Sequence, residues 1–203
     1  MKNNFILKLL FFFLIFFVYF FSSYSNELKF EASSIEIIDK DKIIIANEGV
    51  KILSGEDIII DADKMRYDKE KKFLQSEGKV VIRDQLENIE IYSDKISYDK
   101  NAEKIISSGN VEIKFENNYI LSTKEIVYLK NTEEILINFT TKIKDNFGNK
   151  ITLEILNYNL NNKLLKGKKV KLQDIQKNFY NFDSTIIDFA NNKIIADNVN
   201  IDF

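Results

Sequence analysis

A repeat of about thirty residues constrains the fold of this 203-residue chain more than any other feature. A large apolar anchor recurs at nearly constant spacing: Ile37, Tyr67, Tyr98, Tyr128, Tyr158 and Phe189. A second apolar residue stands two positions before each anchor: Ile35, Met65, Ile96, Ile126, Leu156 and Ile187. So many copies in register are difficult to obtain by chance, and we predict an array of like structural units.

Within each copy the apolar residues step by two, which places their side chains on one face of a β-strand. Ile58, Ile60 and Ala62 share a face, and Met65 and Tyr67 continue it after a single step of three. We predict a bulge or corner at that step, which turns the strand while its apolar side stays inward. The corner residue is small in most copies: Ala32, Ala62, Ser93, Thr123 and Ser184.

A polar turn rich in Asp, Asn and Lys follows each anchor, and a second alternating strand then returns. The clearest returning strands run from Leu74 to Ile82 and from Ile105 to Ile113. One hairpin cannot bury its apolar face alone, whereas stacked copies can. We therefore predict an all-β fold of about six two-strand repeats, each of ~30 residues, with two facing antiparallel sheets and an apolar interior. The last strand, Ile194 to Ile201, is expected to be an open edge.

The first 25 residues have the layout of a secretory signal peptide. Lys2 and Lys8 form a short basic region, an apolar run from Leu9 to Phe21 follows, and Ser23 and Ser25 suit a cleavage site. We predict a signal peptide over residues 1–25 and one exported domain over residues 26–203. The alternative is an uncleaved inner-membrane anchor, although the run is shorter than the roughly 20 apolar residues that cross a bilayer.

The composition argues against an enzyme. The chain has no Cys and no His, so it lacks a thiol nucleophile, a cysteine-based zinc site and the commonest general base. A formal net charge of -2 makes sequence-independent nucleic-acid binding a poor hypothesis. We predict no catalytic residue, no cofactor and no metal, and we interpret Asp61 and Asp63 as solvated carboxylates on the outer face.

Five lysines fall within nine residues near the end of the chain: Lys163, Lys166, Lys168, Lys169 and Lys171. Most runs of this kind are solvated surface, which is the interpretation we favour. Contact with lipid phosphates or with an anionic partner is the alternative.

Two consecutive copies share the pattern apolar-x-Ala/Ser-Asp-x-apolar-x-Tyr-Asp, followed by Gly-x-Val-x-Ile. They are Ile60 to Asp68 with Gly78 to Ile82, and Ile91 to Asp99 with Gly109 to Ile113. These motifs follow the predicted signal peptide. Through them the chain resembles the OstA-like (organic solvent tolerance) family of lipopolysaccharide transport over about residues 27–203. That family includes the periplasmic bridge protein LptA and the N-terminal periplasmic domain of the outer-membrane translocon LptD.

The resemblance implies an LptA-like β-jellyroll that holds the lipid A acyl chains of lipopolysaccharide and joins other Lpt jellyrolls by β-strand addition. It also implies a periplasmic location, association with the outer membrane, and translocon components as partners. The apolar stripe alone fits a sealed core or a lipid cleft, and the resemblance favours the cleft. The residues then expected to face lipid are Ile60, Met65, Ile91, Ile96, Leu121, Ile126, Ile151, Leu156 and Phe182.

Several alternatives fit the same residues. The chain resembles a free-standing LptA-like protein, or the first part of an LptD without its barrel. If residues 1–25 are an anchor, it resembles the inner-membrane-anchored jellyroll LptC instead. An adhesive or carbohydrate-binding β-solenoid would also be a repeat array, but a carbohydrate-active enzyme needs a cluster of acids or bases on one repeat face, and no copy supplies a clear pair.

Overall fold

The computed structural model describes residues 28–54, 58–115 and 119–202, which are mostly β-strand. The first eight strands are β1 (Leu28–Glu31), β2 (Ser34–Ile38), β3 (Ile43–Ser54), β4 (Ile58–Asp68), β5 (Phe73–Asp84), β6 (Ile89–Asp99), β7 (Lys104–Phe115) and β8 (Tyr119–Leu129). The other eight are β9 (Glu134–Ile137), β10 (Thr141–Lys144), β11 (Lys150–Leu153), β12 (Ile155–Asn159), β13 (Leu164–Gln173), β14 (Phe179–Asp188), β15 (Lys193–Asp197) and β16 (Asn200–Asp202). The predicted signal peptide, residues 1–25, lies outside the described residues.

All sixteen strands belong to one connected sheet, and neighbouring strands pair antiparallel. The alternation of side chains explains why these segments form strands. In β4, Ile60 and Met65 are buried while Asp63 and Arg66 are exposed. β-Branched and aromatic residues suit such half-buried pleated surfaces. The all-β prediction is confirmed.

The long strands β3 to β8 bend near their midpoints. Register shifts interrupt the pairing between Asp61 and Lys64 in β4 and between Tyr92 and Lys95 in β6. The step of three in the sequence falls at these positions, so the predicted corner is confirmed. On the alternate strands each bend contains two successive residues with positive φ: Glu48 and Gly49, Gly78 and Lys79, and Gly109 and Asn110.

Glycine is required at two of these bends because another strand approaches closely. At Gly78, which has φ +82°, an added Cβ would lie 2.5 Å from Asp63 Oδ2. At Gly109 it would lie 2.5 Å from Asp94 Oδ2. The Asp of the Ala/Ser-Asp motif therefore packs against the Gly of the following strand, which accounts for both parts of the repeated pattern.

The aligned bends fold the sheet into two facing layers. Layer A contains β1, β10, β11, β16 and the halves of the long strands that include residues 50–54, 58–62, 80–84, 89–93, 111–115, 119–123, 170–173 and 179–182. Layer B contains β2, β9, β12, β15 and the remaining halves of the long strands. The Phe115 ring of layer A lies 5.3 Å from the Tyr158 ring of layer B, centroid to centroid, so the inner faces are in contact. The predicted facing layers are confirmed.

The predicted last strand, Ile194 to Ile201, is divided in the structure. β15 pairs with residues 184–188 of β14 in layer B, and β16 pairs with residues 179–181 in layer A. Asn198 lies between them with φ +53°. The chain thus passes from layer B to layer A at the level where the longer strands bend. At that point the strand is interrupted, whereas the longer strands continue through their bends.

The turns after the anchors are organised by Asp and Asn side chains, as the sequence predicts. Asp68 Oδ1 accepts a hydrogen bond from the Lys71 backbone N–H at 3.0 Å, and Asn159 Oδ1 accepts one from the Asn162 N–H at 2.9 Å. The bond from Lys71 holds the pKa of Asp68 below its usual range, because it stabilises the carboxylate. These turns form the polar end of layer B.

Candidate functional site

The interior between the layers contains all the residues that were expected to face lipid. Every one of them except Phe182 is at most 8% exposed, and Phe182 is partly buried against the same core. The layer A members are Ile60, Ile91, Leu121, Ile151 and Phe182. The layer B members are Met65, Ile96, Ile126 and Leu156. The structure therefore gathers residues from the whole array into one continuous, buried apolar cluster.

Strand pairing arranges these side chains in ladders that run along the array. In layer A, Ile60 pairs with Ile82, which pairs with Ile91, and the ladder continues through Ile113 to Leu121. Opposed aliphatic side chains on one face of a sheet stabilise the pairing. The ladder gives the interior an unbroken apolar wall perpendicular to the strands.

The corresponding ladder of layer B includes two serines. Ser76 pairs with Met65 and with Ile96, and Ser107 pairs with Ile96 and with Ile126. Both serine hydroxyls are buried, and neither has a hydrogen-bond partner among the described residues. A buried polar group without a partner costs about 1–3 kcal/mol. The interior thus holds two hydroxyls that a bound molecule could satisfy, beside three residues predicted to face lipid.

The mouth, where the layers meet at the ends farthest from the bends, is closed by the anchor residues. A side-chain hydrogen bond links Tyr98 to Ser54, and the rings of Tyr67 and Phe30 lie 5.4 Å apart. Burial raises the pKa of Tyr98 and of Tyr128 above the usual tyrosine value, because an ionised phenolate would be poorly solvated there. Along the middle of the array the mouth is therefore shut by neutral aromatic side chains.

The two ends of the interior are open. At the N-terminal end, Ile37 pairs with the inward-facing Ile44 yet is 53% exposed. At the C-terminal end, Ile194 pairs with the inward-facing Ile187 yet is 61% exposed, and Ile201 of β16 is also exposed. These side chains belong to the inner faces, but within residues 28–54, 58–115 and 119–202 no opposing layer covers them. The sequence pattern marked Ile37 as an anchor, but it did not indicate that the interior opens there.

The strands at these ends each have an unpaired edge. Within the described residues, β1 and β2 pair with β3 alone, and β15 and β16 pair with β14 alone. Free backbone donors and acceptors on an edge are a template for pairing with another chain. Each end thus combines an open apolar interior with two strand edges.

The carboxylates of Asp61 and Asp63 point to different partners. The Arg83 guanidinium bridges Asp61 to Glu90, with its Nε 3.6 Å from a Glu90 oxygen, whereas Asp63 packs on Gly78. Across residues 28–54, 58–115 and 119–202, no three acidic side chains are grouped so that they could hold a metal ion. We assign no ligand to these carboxylates.

The lysine run of β13 is divided by the bend between the layers. Lys166 and Lys168 lie on the outer face of layer B, and Lys169 at the bend forms a 2.6 Å ion pair with Glu154. Lys171 lies on the outer face of layer A, where it lines a groove with lysines from other strands. The run is therefore not one patch.

No family model matches the chain, and no curated protein matches it. Within the described ranges the chain has no helix long and apolar enough to cross a membrane. Among solved structures the chain is similar to LptH, the LptA-homologous periplasmic component of the lipopolysaccharide transport device of Pseudomonas aeruginosa. The match has 16% sequence identity and a TM-score of 0.30, and it covers 72% of this chain and 85% of that one. Because both the identity and the TM-score are low, the fold class rests on the strand topology described above.

Proposed function

We propose that this protein is a non-catalytic lipid carrier and assembly module of lipopolysaccharide transport, exported to the periplasm and associated with the outer membrane. Acyl chains of lipid A would occupy the apolar interior, and further jellyroll domains would join the module edge to edge. The observation that carries the proposal is an interior closed along its middle and open at both ends. A sealed core would cover Ile37 and Ile194, whereas a segment of a longer apolar channel would expose them.

Strand direction supports the joining of modules end to end. β15 and β16 run from layer B to layer A, whereas β1 and β2 run from layer A to layer B. If the β1–β2 edge of one module lies beside the β15–β16 edge of another, the new pair is antiparallel and both layers continue. Such a head-to-tail contact uses different surfaces on the two partners and produces open chains. Other Lpt jellyrolls and components of the outer-membrane translocon are the proposed partners.

The orphan hydroxyls support a ligand in the interior. Ser76 and Ser107 lie beside Met65, Ile96 and Ile126, where aliphatic side chains would avoid the cost of an unpaired polar group. Acyl chains that carry ester or hydroxyl groups could offer these serines a hydrogen-bond partner. The signal-like residues 1–25 and the motif resemblance support a periplasmic location for the proposed activity. LptH is itself described as a component of lipopolysaccharide transport.

Photo-crosslinking tests the lipid part of the proposal. A photoreactive residue at Ile91, Ile126 or Leu156 is expected to capture lipopolysaccharide, because these positions face the interior. The matched controls are Glu90 and Lys124, which face outward. Capture is read as a shifted band that an antibody to lipopolysaccharide recognises. Labelling at the control positions alone would show that the interior is not the lipid site.

Two blocking substitutions test the edge-to-edge part. Ile37→Asp is expected to prevent pairing with another module at the N-terminal end, and Ile194→Asp at the C-terminal end. Each substitution would bury a charge in the apolar contact between two modules, which is unfavourable. Each variant alone should remain monomeric in sedimentation velocity at concentrations where the unaltered protein forms chains. An equal mixture should form dimers, since each variant keeps the end that the other lacks.

The matched control for this experiment is Leu86→Asp, which changes an apolar residue of comparable exposure away from both ends. It should assemble like the unaltered protein. Chains formed by either blocked variant alone would contradict head-to-tail joining.

A further inference from the structure

Two neighbouring loops at the mouth end of layer A expose large apolar side chains. Phe147 in the loop of residues 145–149 is 75% exposed, and Ile175 in the loop of residues 174–178 is 66% exposed. The loops touch: the Ile175 N–H donates a 3.2 Å hydrogen bond to Asn149 Oδ1. The two apolar side chains therefore project from one joined structure, which we name the rim.

Hydrogen bonds fix the shape of both rim loops. Asp145 Oδ1 accepts bonds from the backbone N–H groups of Phe147 and Asn149, at 2.9 and 2.8 Å. In the second loop, Asp174 accepts from the N–H and the side-chain amide of Asn178, both at 2.9 Å. The exposure of the apolar tips is thus imposed by ordered loops with matching Asp–Asn pairs. Because the two loops are joined, Phe147 and Ile175 lie on one exposed surface, and grouped exposed apolar side chains mark interaction sites more often than single ones do.

Lysines crowd the outer face of layer A directly beside the rim. Lys144 of β10 stands opposite Lys150 of β11, and Thr152 of β11 lies between Lys142 of β10 and Lys171 of β13. Like charges directly opposite one another destabilise a sheet. The four lysines line a groove of about 490 Å³, and none of the described residues that line it is acidic. The arrangement costs stability in the free protein and would be relieved by bound anions.

We propose that the rim and the lysine groove dock this protein on a lipid bilayer surface rich in anionic lipid. Phe147 and Ile175 enter the interface between headgroups and acyl chains, and the four lysines contact lipid phosphates. Exposed apolar side chains combined with nearby cations are the features that bind a protein to such a surface. This surface lies on the outside of layer A, so docking uses neither the interior nor the terminal edges.

The same end of layer A provides a matched control. Leu86, in the loop of residues 85–88, is 73% exposed, and its backbone N–H is bonded to Asp84 Oδ1 at 3.1 Å. Its loop is thus as ordered and as apolar at its tip as the rim loops. However, Glu87 directly follows Leu86, whereas Lys144 and Lys150 stand on either side of the rim loop that carries Phe147. Leu86 therefore separates docking on an anionic surface from the general stickiness of any exposed apolar residue.

The experiment is flotation of the purified protein with vesicles of equal parts phosphatidylglycerol and phosphatidylcholine, and with vesicles of phosphatidylcholine alone. The unaltered protein should float with the anionic vesicles, and high salt should weaken this association. The double variant Phe147→Ser/Ile175→Ser should bind at least about tenfold more weakly. The double variant Lys144→Gln/Lys150→Gln should lose about fivefold for each lysine. Leu86→Ser should bind like the unaltered protein.

Equal binding to neutral and anionic vesicles would overturn the proposal, as would a loss in Leu86→Ser as large as the loss in the rim variant. Failure of the unaltered protein to float with anionic vesicles would overturn it as well. Because every substituted side chain is exposed, unchanged thermal melting serves as the check that each variant is folded. The apolar and the lysine variants test the surface independently, so one poorly folded variant does not remove the test.

Discussion

Ile126→Ala is expected to lower the free energy of unfolding by about 2–5 kcal/mol. Ile126 is completely buried in the inner face of layer B, two residues before an anchor tyrosine. Its truncation removes apolar contact and leaves a cavity, because neighbouring strands hold their positions through backbone pairing. For a domain of this size the midpoint of thermal unfolding should fall by roughly 5–15 °C. Chemical denaturation monitored by circular dichroism gives the free energy directly.

The matched control is Ile35→Ala, which changes the same residue type at the same place in the first copy of the repeat. Ile35 belongs to the inner face of layer B but is 48% exposed at the open N-terminal end. Its truncation should cost less than about 1 kcal/mol, because about half of the residue is already in water. Equal losses at the two positions would mean that the N-terminal end is covered in solution, contrary to the open interior on which the proposed function depends.

Gly78→Ala is expected to cost about 2–5 kcal/mol, through two separate effects. Gly78 has φ +82°, a conformation that costs other residues about 1–2 kcal/mol. The added methyl group would also lie 2.5 Å from Asp63 Oδ2 and 2.8 Å from Asp63 Cβ, so the neighbouring strand must shift, at about 1–3 kcal/mol. Denaturant unfolding of the purified variant measures the sum.

Gly49→Ala separates these two effects. Gly49 has φ +70°, but no neighbouring atom of the described residues lies within 4 Å of the position that its Cβ would take. This variant should show the conformational cost alone, about 1–2 kcal/mol. The double variant Asp63→Gly/Gly78→Ala removes both close contacts and should recover the stability difference between Gly78→Ala and Gly49→Ala, as measured by a double-mutant cycle that includes Asp63→Gly alone. No recovery in the double variant would show that the contact with Asp63 is not the cause.

The strands and their bends can be predicted from the sequence because each strand has one buried face and one exposed face. The steps of two predicted that Ile60 and Met65 both face inward, and the step of three between Ala62 and Met65 located the bend. These inferences need only local geometry and one buried side. The lysines that extend a bend with positive φ, such as Lys79, were not predictable in this way. That conformation is uncommon for a residue with a side chain and follows from the fold as a whole.

The lysine groove and the open ends of the interior could not be predicted from the sequence in this way. Lys144, Lys150 and Lys171 are separated along the chain, and they meet because β10, β11 and β13 are neighbours in layer A. The lysine run that is continuous in the sequence, from Lys163 to Lys171, is divided by a bend. The exposure of Ile194 was equally hidden, since it depends on which strands have a neighbour and not on residue type. The only local sequence signal for the lysine groove was the alternation of Lys142 and Lys144 with the apolar Ile143.

The contacts at the mouth have a consequence for how the array unfolds. Tyr98 bonds with Ser54, and Phe115 and Tyr119 contact Phe189, so these contacts join copies of the repeat that are not adjacent. A repeat protein whose units touch only their nearest neighbours can lose units from one end in succession. Here the unfolding of one copy would also expose the side chains that it covers in a copy two places away. The energetic unit is therefore larger than the thirty-residue repeat, and neighbouring copies should melt together rather than one by one.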